Sequence, residues 1–131
     1  MTGVPDDSNL RGLRSPAATA FALVAALLLT AAGPGSRSDL PGIKAARSIV
    51  AEWAMLNRLD SKGKLPAIYI RQMRVESRRQ LTLRLNTLSD PVSAAAQVMR
   101  ETLRLPDDAP FEALQHAAGQ LLTIETQLEG A

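Results

Sequence analysis

A run of sixteen uncharged, mostly apolar residues near the N-terminus, AATAFALVAALLLTAA at 17–32, constrains this chain most, because such a run avoids water. Arg11 and Arg14 precede it and a Gly-Pro-Gly sequence follows, as in a secretory signal. A membrane-spanning helix needs about 17 to 25 apolar residues and a signal core about 7 to 15, so its length lies between the two classes. We take a retained membrane anchor as the leading interpretation and a signal peptide cleaved after Ala32 as the alternative.

The composition of the remaining chain favours helices. Residues 1–35 form the predicted signal or anchor, and residues 36–131 are long enough for one small domain. The chain has only four aromatic residues, whereas Ala, Leu and Arg are abundant, which favours helix over sheet. The predicted fold class is therefore all-α, with an N-terminal signal or single transmembrane helix followed by a small bundle of about four amphipathic helices.

Hydrophobic periodicity places the four helices at residues 41–59, 66–88, 91–104 and 110–128. Asp90 and Asp108 are expected to cap the third and fourth helices by accepting their free amides. The stretch LTLRLNTL also alternates with the period of a strand, but a lone strand would have no partner, so we interpret it as helical. Short loops between the helices favour antiparallel neighbours in an up-and-down bundle.

Charge is segregated along the sequence. All fifteen Lys and Arg residues lie in residues 1–104 together with eight acids, whereas residues 105–131 contain five acids and no Lys or Arg. The acidic C-terminal helix can neutralise the basic middle of the chain by packing against it, or the two parts can bind separate partners. Internal pairing is the simpler interpretation.

The second predicted helix carries the strongest local charge, the cluster Arg71, Arg74, Arg78 and Arg79. This cluster can be a solvated face paired with internal acids, a docking surface for an acidic protein, or a patch for the phosphates of lipid or nucleic acid. No stacking aromatic lies among the arginines, which argues against nucleic acid. Trp53 fits either an interface anchor or the core of the first helix. The predicted partner-binding residues are these four arginines and Trp53.

Catalytic and metal-binding motifs are missing from the sequence. It has one histidine and no cysteine, and it lacks the zinc-protease helix, the nucleophile elbow and the glycine-rich phosphate loops. Glu112 and His116 are one helical turn apart, but solvated neighbours explain them more simply than a proton-transfer pair. Helix capping similarly explains Asp107 and Asp108 better than a cation site. We therefore expect no enzyme activity, no cofactor and no metal.

These features support two hypotheses about function. The first is a small bacterial envelope protein, anchored through residues 17–32, whose helical domain docks onto another protein with an acidic surface as an accessory or assembly subunit. The second is a secreted periplasmic protein that binds a small anionic ligand between its helices, near Met73, Met99 and the arginines. The alanine- and arginine-rich composition suggests a bacterial source, at the cell membrane or in the periplasm. Self-association is compatible with both hypotheses.

Overall fold

Amphipathic segments separated by proline-containing turns fold into four α-helices in residues 33–131, the part of the chain that the computed structural model describes. A 3-10 turn at Arg37–Asp39 precedes α1 (Leu40–Ser61), α2 (Ala67–Thr87), α3 (Ala94–Leu103) and α4 (Phe111–Glu129). The predicted all-α bundle is confirmed in these residues, and residues 81–87, whose pattern also suited a strand, are helical. The predicted signal or anchor at 17–32 lies outside the described residues. None of the four helices is long and apolar enough to cross a bilayer.

The hydrophobic core forms mainly between the first and last helices. α1 makes its most extensive contact with α4 and its next with α2, and α3 completes the arrangement by contacting α2 and α4. The buried face of α1 repeats every three or four residues, as one side of a helix requires. It includes Trp53, whose side chain is completely buried. The opposing residues of α4 are Leu114, Leu121, Ile124 and Leu128.

Ion pairs fix α1 and α4 in antiparallel alignment. Lys44 contacts Glu129 at 3.1 Å, and Arg47 donates to the nearly buried carboxylate of Glu125 at 2.6 Å. Arg58, near the other end of α1, lies over the ring of Phe111, 4.9 Å from its centroid. Two of the three acids of α4, Glu125 and Glu129, are thus paired with basic residues of α1.

The predicted cap of the third helix is wrong. α3 begins at Ala94, and the Ser93 hydroxyl accepts a hydrogen bond from the amide of Ala96 at 3.2 Å. The Asp90 carboxylate instead accepts from the amide of Val92 at 3.1 Å. Residues 91–93 form a turn before the helix, so Asp90 lies too far from the first free amides of the helix to cap them.

The predicted cap of the fourth helix is also wrong. α4 begins at Phe111, with Pro110 at the capping position and no side chain capping the helix. Pro110 is extended, with φ −58° and ψ 148°, so the helix starts only after it, and Asp108 is two residues further away.

An N-terminal clasp, residues 33–39, fastens the start of the described chain to the loop between α2 and α3. The carbonyl of Gly33 accepts from the amide of Ala94 at 2.7 Å. The buried carboxylate of Asp39 accepts from the amides of Ser89 and Asp90, at 2.7 and 3.3 Å. Gly35 has φ +120° and a Cβ there would lie 3.2 Å from Ser93 Cβ, so the clasp requires glycine at this position.

Candidate functional site

Helix α2 lies at the edge of the bundle, because only three of its 21 residues, Ile70, Ser77 and Leu81, are buried. Helices of globular proteins normally bury a wider stripe. The two sides of α2 differ in chemistry. Arginines on one side point into the domain, and apolar side chains on the other side are exposed to solvent.

On the inner side of α2, Arg78 holds the loop between α3 and α4. Its guanidinium lies over the indole of Trp53, 4.9 Å from the ring centroid. Nη1 donates to the carbonyl of Leu103 at 2.7 Å, Nη2 donates to the carbonyl of Leu105, and Nε pairs with the carboxylate of Asp107. A planar fork of donors suits this arrangement, which a lysine ammonium cannot reproduce. We call residues 103–109 the clamped loop.

Arg74 supports the same loop through Asn57. Its Nε donates to Asn57 Oδ1 at 2.9 Å, and its Nη2 pairs with Asp60 at 2.8 Å. The Asn57 amide nitrogen donates in turn to the carbonyls of Asp107 and Ala109, at 3.0 and 2.8 Å. The side-chain oxygen and nitrogen of the buried Asn57 therefore both have hydrogen-bond partners, as buried polar atoms normally do.

The outer face of α2 is formed by Ile68, Arg71, Val75, Arg79 and Leu83, which follow one another at intervals of three or four residues along one side of the helix. The three apolar side chains are 66%, 62% and 50% exposed, respectively. Isolated exposed apolar residues are ordinary, but an aligned set is a feature of interaction surfaces. Within residues 33–131, these three positions are therefore apolar although their side chains are largely exposed.

Arg79 on this face forms a local pair with Glu76. Its Nη2 and Nε reach the two carboxylate oxygens at 2.6 and 2.9 Å, and Gln80 donates to the same carboxylate at 2.9 Å. The hydrogen bonds from Arg79 and then Gln80 lower the pKa of Glu76 from 4.5 to about 2. Glu76 therefore stays negative at neutral pH and orients the Arg79 side chain.

A cleft of about 300 Å³ opens at the first turn of α2, lined by Asp60, Ala67, Ile70, Arg71, Arg74 and Asp107. Both acidic residues of the cleft have ion-pair partners. Asp60 pairs with Arg74, and Asp107 pairs with Arg78. Arg71 forms no ion pair within residues 33–131, so its positive charge remains uncompensated at the rim. Neither Met73 nor Met99 lines the cleft, and Met99 is completely buried.

The structure thus divides the five residues that sequence analysis singled out. Arg74 and Arg78 point inward and bind the first helix and the clamped loop, and Trp53 is buried beneath Arg78. Arg71 and Arg79 lie on the outer face. Sequence analysis missed the apolar members of that face, although they lie on the side of the helix opposite Ser77 and Leu81, and that opposition was visible in the sequence.

Within 33–131, no group of three acidic or histidine side chains is arranged to hold a metal ion. Glu112 and His116 are both exposed on α4.

No family model, no curated protein and no solved structure matches the chain.

Proposed function

We propose that the protein is a small docking subunit of the bacterial envelope, held at the membrane by residues 17–32, whose α2 helix receives an acidic helix of another protein. The observation that carries this proposal is the outer face of α2. It presents Ile68, Val75 and Leu83 in one line on a helix that buries little of its own surface. Exposure of these three apolar side chains to water is unfavourable in an isolated domain. Their burial against the apolar side chains of a partner would be favourable.

The dimensions of the outer face suit a helical partner. Ile68 and Leu83 are fifteen residues apart, which corresponds to about 22 Å along the helix axis. That length accommodates about four turns of a partner helix, whose apolar side chains would repeat every three or four residues. The packing of two helices side by side requires no opening of the bundle.

The charge of the face selects an acidic partner. Arg74 and Arg78 are neutralised inside the domain and Arg79 is paired with Glu76, which leaves Arg71 as the arginine of the outer face without an ion pair in residues 33–131. Complementary charge would attract and orient an acidic helix, whereas two copies of α2 would bring like charges together. We therefore propose a different protein, not a second copy, as the occupant of this face.

The test is photocrosslinking in the source bacterium with a benzophenone amino acid at Val75 of the full-length chain. The matched control places it at Leu122, an exposed apolar residue of α4. We expect one discrete adduct from position 75 and none from 122, with an acidic amphipathic helix at the crosslinked site in the partner. Adducts of equal yield from both positions, or no adduct from position 75, would contradict the proposal.

Charge reversal tests the electrostatic part separately. Arg71→Glu combined with Arg79→Glu should abolish the adduct at position 75 while leaving the circular dichroism and melting temperature of the domain nearly unchanged, because neither side chain contacts another helix through an ion pair. The adduct should also weaken as salt is raised. An adduct that persists in the doubly reversed variant would exclude an acidic partner.

A second candidate function is the binding of a small anion in the cleft, and the uncompensated Arg71 at its rim favours it. Inorganic phosphate or a dicarboxylate would then raise the melting temperature of the protein in a concentration-dependent way. Arg71→Gln should remove that rise, whereas Arg84→Gln, an exposed arginine later on α2, should leave it unchanged. Equal rises in melting temperature in the two variants would exclude the cleft as the binding site of the anion.

A further inference from the structure

The turn between α1 and α2 concentrates positive charge at one end of the outer face. Residues 58–71 contain a single acid, Asp60, and four basic residues, Arg58, Lys62, Lys64 and Arg71. The Asp60 carboxylate is already paired with Arg74, and none of the four basic side chains forms an ion pair within residues 33–131. We call residues 62–64, which read Lys-Gly-Lys, the basic turn.

A Schellman motif orders the backbone of the basic turn. The amide of Gly63 donates to the carbonyl of Asp60 at 2.9 Å, and the amide of Lys64 donates to the carbonyl of Leu59 at 3.1 Å. Gly63 has φ +64°, a conformation that glycine adopts without strain. Both lysines of the turn are exposed, so they project from a backbone that is already ordered and loses little freedom when a partner binds.

Helix electrostatics account for only part of this charge. Lys62 is the C-cap residue of α1, where a cation interacts favourably with the negative end of the helix. Lys64 and Arg71 instead flank the start of α2, whose first turn contains no acid that could offset them. Positive charge near the N-terminus of a helix is unfavourable in the isolated domain, and an acidic partner would relieve it.

The basic turn is continuous with the outer face, because Ile68 follows Lys64 by only four residues in the chain. Arg71 lies about one helical turn further along α2. The second arginine of the face, Arg79, is paired with Glu76. The uncompensated positive charge of the combined surface therefore lies at the start of α2, and the apolar side chains continue from there along the helix.

We propose that Lys62, Lys64 and Arg71 bind an acidic segment at one end of the partner helix, while the apolar side of that helix packs along α2. This inference rests on the proposed function and specifies where on the partner the acidic residues lie. Complementary charges placed at one end fix the direction in which the partner lies on α2, and they speed its association.

The test measures the yield of the photocrosslinked adduct at Val75 of the full-length chain after charge reversal in the basic turn. Lys62→Glu combined with Lys64→Glu should lower this yield about fivefold at physiological salt. The matched control, Arg84→Glu with Arg104→Glu, changes the net charge equally at exposed positions that form no ion pair within residues 33–131. This control should lower the yield less than about twofold, because its charges lie away from the basic turn and are screened.

Lys62→Gln combined with Lys64→Gln removes the charges without reversing them and should give an intermediate yield. Circular dichroism verifies the folding of each variant, and the glutamine variant decides the outcome if the glutamate variant does not fold.

A second crosslinking position locates the acidic residues of the partner. A benzophenone amino acid at position 64 should capture the same protein as position 75, at a peptide rich in Asp and Glu. A full yield at position 75 after charge reversal in the basic turn, or an equal fall in the control, would exclude the basic turn and leave docking on α2 standing. The absence of any adduct at position 75 in the otherwise unchanged chain would overturn the proposed function together with this inference.

Discussion

The Arg78 guanidinium covers the Trp53 indole, and the Nε1 hydrogen of that same indole is donated to the Asp107 carbonyl at 3.0 Å. The indole ring of Trp53 thus contacts Arg78 with its face and the clamped loop with its edge. α1, α2 and the loop before α4 are held at a single point, although they are far apart in sequence.

Replacing Arg78 by Met should lower the free energy of unfolding by about 2 to 3 kcal/mol, because charge-assisted hydrogen bonds to two loop carbonyls and the contact with Trp53 are lost together. Arg79→Met is the matched control, since Arg79 pairs only with its exposed helical neighbour Glu76, and we expect a much smaller loss of stability than in Arg78→Met. Urea unfolding followed by the fluorescence of Trp53, the chain's single tryptophan, measures both. Equal losses in the two variants would show that the clamp does not stabilise the fold.

Asn57→Leu should cost about 3 kcal/mol, because it leaves the carbonyls of Asp107 and Ala109 and the Nε of Arg74 without their partner. Asn86→Leu, at an exposed position of α2, provides the control and should change stability by less than about 0.5 kcal/mol. Amide hydrogen exchange in residues 103–109 should accelerate in the Asn57 variant before global unfolding. Unchanged exchange there would refute the role assigned to Asn57.

Arg47→Met should destabilise the domain by about 2 to 3 kcal/mol, because the nearly buried carboxylate of Glu125 would lose its charge partner. The double variant with Glu125→Leu should recover most of that loss, since no unpaired charge remains. Lys44→Met breaks the more exposed pair with Glu129 and should cost about 0.5 kcal/mol or less. Thermal melts of the wild type and these three variants measure the losses in stability. A double variant no more stable than Arg47→Met would contradict the role assigned to the unpaired Glu125 carboxylate.

The carboxyl group of Glu76 should titrate with a pKa of about 2 in the folded protein, well below its ordinary 4.5. Because the folded pKa is depressed, the pair favours the native state above about pH 4.5, and this contribution is lost as the pH falls from there through about 2. Carbon-13 NMR of the side-chain carboxyl follows the titration directly. Arg79→Ala should move the midpoint towards 4.5, and a midpoint that stays near 2 would assign the shift to another cause.

Hydrophobic periodicity predicted the helices well, because each amphipathic segment is bounded by a proline or by a polar turn. It misplaced the two N-caps for a physical reason. A capping side chain reaches only the first free amides, so capping depends on where the helix begins to within one residue. The turn at residues 91–93 and the extended Pro110 shift those starts past Asp90 and Asp108.

The arginine cluster shows the limit of sequence analysis at the site. Helical spacing places Arg71, Arg74 and Arg78 on one side of α2, but the spacing alone could not show that Arg74 and Arg78 contact Asn57 and the clamped loop whereas Arg71 forms no ion pair within residues 33–131. The contacts of Arg74 and Arg78 with Asn57 and the clamped loop join residues 17 to 29 positions apart, and they depend on tertiary packing. The apolar residues of the outer face, Ile68, Val75 and Leu83, were not predicted as exposed, because an apolar residue in an amphipathic helix is ordinarily expected to lie on its buried side.

The dominance of the contact between α1 and α4 has a consequence during synthesis. The contact of α1 with α4 is larger than its contact with α2, so a nascent polypeptide that has completed α1 and α2 still lacks the helix that α1 contacts most extensively. The domain can close only when α4 has left the ribosome, and until then the bare face of α1 is available to chaperones or to aggregation.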